Sequence, residues 1–166
     1  MANICYADFD ITAPDEQHAD KLENTLNSLM NKESNGVWYL SIAGCCLSDV
    51  YLDRCGMLLH IESTVKWGFN DKEVKALFRW FKKEADICEF VLRYEEDASH
   101  MYGEYVWDDM EPALIWQHYL PAKYWPEDEN RDDYFDQIAC RFEAHPKSRM
   151  IRLTRKKKTN KTENNK

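Results

Sequence analysis

An antiparallel β-sheet covered on one face by helices, an α+β domain, is what three features of this 166-residue chain predict. Residues 5–11 and 59–67 alternate apolar and polar side chains with the period of two that half-buries a strand. Residues 19–30 and 74–81 instead repeat apolar side chains at helical spacing. The two patterns interleave along the chain, so sheet and helix belong to one core.

The first strand has Cys5, Ala7, Phe9 and Ile11 alternating with Tyr6, Asp8 and Asp10. Thr12-Ala13-Pro14-Asp15 then supplies helix-start chemistry, a capping side chain with Pro in the first turn. Ala19, Leu22, Leu26, Leu29 and Met30 extend a first helix to Asn31, closed near Asn35-Gly36. Residues 37–46 are apolar and β-prone, and 48–55 continue in the same character up to a break at Gly56. Beyond it Leu59, Ile61, Val65 and Trp67 face one way, while His60, Glu62, Thr64 and Lys66 face the other.

The sharpest local signal is Phe69-Asn70-Asp71-Lys72-Glu73-Val74. Asn70 can cap a second helix, Glu73 can complete a capping box, and Phe69 can staple onto Val74. Val74, Leu77, Phe78 and Phe81 form the apolar stripe, and the helix is expected to end around Ala85. Cys88, Phe90, Leu92 and Tyr94 then alternate with Glu89, Val91 and Arg93, turn through 95–100, and return along 101–107 as a hairpin. Residues 111–120 have mixed periodicity. Pro121 and Pro126 mark a loop over 121–130, and Tyr134, Phe135, Ile138 and Phe142 predict a third helix over 131–144.

The order strand, helix, strand, strand, helix, strand is that of a ferredoxin-like split βαβ sandwich, extended here by a β-hairpin and a C-terminal helix. The domain is expected to occupy residues 1–145. The segment 146–166, nearly without apolar residues after Leu153, reads as a disordered basic tail.

Charge divides the chain in the same place. Residues 1–146 hold 13 Lys/Arg against 29 Asp/Glu, whereas 147–166 hold nine against one. A body this acidic repels a phosphate backbone and is steered toward basic protein surfaces, although acidic surfaces also serve solubility alone. The tail admits weak nucleic-acid contact through phosphate neutralisation, or a return over its own acidic body.

Residues 1–10 show no secretory pattern, and no run of about 18 apolar residues is present, so a cytoplasmic location and no membrane partner are expected. Six cysteines occur without a C-x-x-C pair, which in a reducing compartment suggests mostly buried thiols.

Asn3-Ile4-Cys5, Thr12-Ala13-Pro14, Trp67-Gly68, Leu92-Arg93-Tyr94-Glu95-Glu96 and Gly103-Glu104-Tyr105 together resemble the YubB-type proteins of plasmids, phages and integrative elements. The resemblance covers residues 1–108 in pattern and 58–108 in detail. It implies a ferredoxin-like fold and a mobile-element setting, in which small acidic proteins act as counter-defence inhibitors of restriction or CRISPR machinery. It implies no catalytic residues.

Among candidate sites, Asp8 and Asp10 share one strand face and His60 and Glu62 another, which could build a metal site or an acid/base pair for a metal-dependent hydrolase. Such alternation is also what any solvated sheet face looks like. Cys45 and Cys46 would point to opposite faces of a strand, which disfavours joint zinc ligation. The five glycines share no motif window, so no phosphate loop is present. No cofactor and no small-molecule substrate is expected.

Aromatic residues amid carboxylates suit a protein interface, and equally suit core aromatics flanked by acids that solvate loops. The charge contacts expected from the sequence are Glu95, Glu96, Asp97, Asp108, Asp109, Glu127, Asp128, Asp132 and Asp133, with Tyr105, Trp107 and Trp125 as anchors. Their partner would be the basic, nucleic-acid-binding face of a host effector complex. The alternatives are nucleic-acid binding through the sheet and the tail, or the hydrolase above.

Overall fold

A computed structural model describes residues 4–96, 101–120 and 147–153. The described residues form nine strands and two helices, an α+β arrangement dominated by one antiparallel sheet. In chain order they are β1 (Ile4–Thr12), α1 (Glu16–Leu29), β2 (Met30–Lys32), β3 (Trp38–Ile42), β4 (Cys45–Cys55) and β5 (Leu58–Lys66). Next come α2 (Asp71–Ala85), β6 (Glu89–Glu96), β7 (Met101–Asp108), β8 (Leu114–Leu120) and β9 (Lys147–Arg152).

The spatial order is β2-β3-β4-β5-β1-β6-β7-β8-β9, with every neighbouring pair antiparallel. β1 therefore sits at the centre. β5 and β6 flank it, run the same way and are joined by α2. Nine strands exceed the four of a simple split βαβ sandwich, because hairpins extend the sheet on both sides.

The helix boundaries follow local chemistry. Asn70 accepts the Lys72 and Glu73 backbone N–H groups while the Glu73 carboxylate accepts the Asn70 N–H, so the expected capping box is present and α2 ends at Ala85. α1 starts one turn later than Thr12, capped by Asp15, which accepts the His18 N–H at 2.8 Å. It stops at Leu29 because the chain passes directly into the short strand β2.

Both helices cover the face of the sheet that carries the odd-numbered residues of β1. Phe9 lies among Phe69, Phe81 and Phe90, with ring centroids 5.8, 6.4 and 6.4 Å away, and Phe78 of α2 meets Trp107 of β7 at 4.7 Å. Ala19, Leu22 and Leu26 of α1 and Val74, Leu77 and Phe81 of α2 are buried against that face. Removing any one large side chain there costs about 2 to 5 kcal/mol.

At the C-terminal end one open stretch gains a structure and one expectation changes. Residues 111–120, of mixed periodicity, contain strand β8, whose Ile115 is buried. The segment expected to be a tail from residue 146 contributes β9, which pairs with β8 over its whole length and buries Ile151. Leu153 continues the link, its N–H donating to Ala113 O and its carbonyl accepting from Arg79. The sheet thus includes residues past 145. Charge misled the sequence reading here: an edge strand carries Lys and Arg readily, since they deter further strand addition, and two or three apolar residues suffice to seat it. The expected loop over 121–130 and helix over 131–144 lie outside the described residues.

Candidate functional site

The sheet face turned away from α1 and α2 is built by strand register. One row across it reads Asp53, His60, Asp10, Val91, Val106; the next reads Tyr51, Glu62, Asp8, Arg93, Glu104; a third reads Ser48, Thr64, Tyr6, Glu95, Tyr102. β4 joins these rows only through a bulge between Ser48 and Tyr51, where Asp49 takes a left-handed φ of 51°. The extra residue keeps Leu47 and Val50 in the core and leaves Ser48 and Tyr51 on the outer face. These three rows carry six carboxylates against Arg93 and His60.

The polar residues at the centre are connected. His60 Nδ1 lies 2.7 Å from Asp10 Oδ1, and its Nε2 lies 3.4 Å from Glu62 Oε1. Arg93 donates to the other Asp10 oxygen at 2.8 Å and to Glu104 at 3.0 Å. The hydrogen bond from His60, then Arg93, holds the Asp10 carboxyl below the usual carboxylate range despite partial burial. The same bond from Asp10 raises His60 above its ordinary value. Burial pushes Asp8 up, and neighbouring Glu62 and Asp10 add to that. Burial opposes the charge on Arg93, but Glu104 and Asp10 outweigh it and raise its value.

The sequence-predicted set Asp8, Asp10, His60 and Glu62 is therefore brought together, and its chemistry is that of an ion network. His60 has a carboxylate at each ring nitrogen, which favours the imidazolium over a neutral base. Among the described residues no group of three or more His, Cys, Asp or Glu is arranged to hold a metal ion.

The expected partner contacts scatter. Glu95 joins the outer face, in register with Tyr6 and Tyr102, and Glu96 closes β6. Asp108 and Asp109 are exposed at the end of β7, where Asp108 Oδ1 accepts the Met110 and Glu111 N–H groups and shapes a turn. Tyr105 and Trp107 are 1% and 2% exposed, on the helix side of the sheet, so they are core residues and not surface anchors. Their strand alternates with the opposite parity from the one an exposed ring would need. Asp97, Trp125, Glu127, Asp128, Asp132 and Asp133 lie outside the described residues.

Sequence reasoning missed the exposed aromatics of this face, Tyr6 and Tyr51, at 44% and 58%. The parity of β1 marks Tyr6 directly, whereas the bulge hides Tyr51 from any period-two reading. The cysteines divide as well. Cys45 is buried and Cys46 exposed, the opposite facing expected of neighbours in a strand, and burial pushes the Cys45 thiol up to about 11. Cys5 is also buried, but Cys55 is exposed and Cys88 intermediate, so burial is not general among the described cysteines.

Beside the outer face, where β4 begins and β5 ends near the start of α2, lies a cleft of about 550 Å³. Ile4, Val65 and Phe69 supply its apolar wall, and Glu33, Asp49 and Glu73 its acidic one. Among the described residues no helix is long and apolar enough to cross a membrane. Comparison with protein-family models, curated proteins and solved structures gave no match to the chain.

Proposed function

We propose that this chain is a non-enzymatic acidic binding protein whose outer sheet face engages a basic, nucleic-acid-handling protein partner. The observation that carries this reading is the composition of three central rows of that face: six carboxylates against two cations over β4, β5, β1, β6 and β7, with exposed tyrosines among them. Carboxylates spaced along rigid strands compete with phosphates for Lys and Arg, and the tyrosines supply contact area at small entropic cost. The same charge opposes nucleic-acid binding by this face. The strand order β4-β5-β1-β6, with α1 and α2 in the connections, supports a ferredoxin-like centre for the enlarged sheet. The counter-defence setting, with a restriction or CRISPR effector as target, rests on the YubB-type resemblance of residues 58–108.

The test is capture of partners by tagged protein from nuclease-treated bacterial lysate, set against a variant with Asp53→Lys, Glu62→Lys and Glu95→Lys. At about 1 kcal/mol per contact, three reversals weaken a partner held by this face about 100-fold. The expected result is a stoichiometric basic protein that competing DNA displaces and the variant fails to retain. Equal retention by the variant would remove the outer face from the mechanism.

A further inference from the structure

The cleft beside the sheet has a make-up that the outer face lacks. Its apolar wall is formed by Ile4, Val65 and Phe69, from the start of β1, the end of β5 and the loop before α2. Glu33, Asp49 and Glu73 approach from three other segments, and Lys66 is the cation among its lining residues. Among the described residues Asp49 has no ion pair. Gly44, Asp49 and Gly68 in its wall have left-handed backbone, with φ of 84°, 51° and 71°.

Trp67, between two lining residues, also has a positive φ, 70°, and its side chain is 68% exposed. A bulky residue seldom adopts that conformation. Here it turns the largest apolar side chain of the strand end outward. Sequence alternation had assigned Trp67 to the buried side of β5, so the left-handed turn reverses it.

We propose that this cleft receives a basic, partly apolar peptide segment of the protein partner, with a lysine or arginine side chain seated in it. The inference rests on the binding reading above and deepens it by locating the segment that inserts. A lysine or arginine has an aliphatic stem and a cationic head, which match an apolar wall facing carboxylates. A volume of about 550 Å³ accommodates one such side chain and its neighbours along an extended segment. Three carboxylates against one ammonium select the sign of the occupant, and Trp67 at the rim adds cation–π or apolar contact.

The experiment is an amide and indole NMR titration of the full chain with the capped peptide Leu-Arg-Leu-Lys-Leu, and with its counterpart in which Glu replaces both basic residues. The basic peptide is expected to shift the Gly44 and Gly68 amides and the Trp67 indole N–H, and the acidic one to leave them in place. Asp49→Asn combined with Glu33→Gln weakens binding about fivefold, and Trp67→Ala about tenfold. Lys66→Gln tightens it about threefold, a sign that mere disruption of the fold does not produce. Shifts confined to Glu62, Glu95 and their neighbours would overturn the cleft assignment while leaving the binding reading intact. Absence of shifts with the basic peptide at millimolar concentration would also overturn the cleft assignment, whereas the binding reading stands or falls with the capture experiment.

Discussion

Gly103→Ala is expected to be among the most damaging single-methyl additions to this fold. Gly103 faces Tyr94 across the β6–β7 pair, and a methyl group there would come within 2.6 Å of Tyr94 Cε1 and closer still to Cζ and Oη. The obstacle is not the end of a flexible chain. The Tyr94 ring is 7% exposed, stacks on Tyr105 with centroids 5.6 Å apart, meets Phe69 edge-on at 6.4 Å, and accepts a hydrogen bond from Gln117. Gln117 also donates to Tyr105 Oη at 2.9 Å and accepts from Arg149, so displacing the phenol disturbs four strands. Overpacking costs about 1 to 3 kcal/mol, and each lost aromatic pair adds about 0.5 to 1.5. The total is about 3 kcal/mol, a fall in Tm of about 6 to 12 °C for a chain of this size. Denaturant unfolding of Gly103→Ala, Tyr94→Ala and the double variant measures it. The double variant should be more stable than the sum of the two single losses predicts, because the added methyl finds space once the ring is gone. A loss below 1 kcal/mol for Gly103→Ala, or strict additivity, would show that the ring is not fixed in this position.

Two further outcomes concern the outer face and the sheet edge. His60, raised by Asp10, stabilises the fold fully below its unfolded value near 6.5, and that contribution is lost as pH rises through its higher folded value; Asp10, lowered by His60 and Arg93, contributes above 3.8 and is lost on acidification below that. The His60 ring resonances should therefore titrate with a midpoint above 6.5, moving down in Asp10→Asn; an unmoved midpoint would sever the pair. Ile151→Ala should cost about 2 to 3 kcal/mol in denaturant unfolding, because Ile151 is buried opposite Ile115, whereas a disordered tail predicts no loss.

The parts of the fold legible in the sequence were those set by local chemistry. The capping box at Asn70 and Glu73, the alternation of β1, and the β6–β7 hairpin depend on neighbouring residues, and each stands where the pattern put it. What depends on residues distant in sequence was misread. Tyr105 and Trp107 have the composition of interface anchors, and only pairing with β6 and contact with Phe78 put them in the core. β9 looks like a solvated basic segment until β8 is placed beside it. The bulge at Asp49 is invisible to a period of two because its purpose is to break that period. The candidate face was half legible: Asp8, Asp10, His60 and Glu62 were grouped by parity, but Arg93 and Glu104 join them through a register that alternation alone does not give.

The outer face also runs against the sheet's own stability, which bears on why it is built this way. Asp8 and Glu62 stand directly opposite each other on β1 and β5, a placement in which like charges destabilise an antiparallel pair. Burial pushes the Asp8 carboxyl above its ordinary value and the nearby Glu62 and Asp10 add to that, so its surroundings disfavour its charge. The helix side of the same strands, with Phe9, Ile61 and Leu92 buried in adjacent register, supplies the apolar burial that tolerates this cost. Repulsion held on a rigid scaffold becomes available on binding, because a partner's cation relieves it as well as adding its own attraction. The cleft extends the same surface. Ile4 pairs with Lys66 one row beyond Tyr6 and Thr64, and Ile4, Thr64 and Lys66 all line the cleft. A basic segment leaving the cleft along β1 would therefore pass Tyr6 and reach Asp8 and Glu62, so the cleft and the face can act on one continuous stretch of a partner.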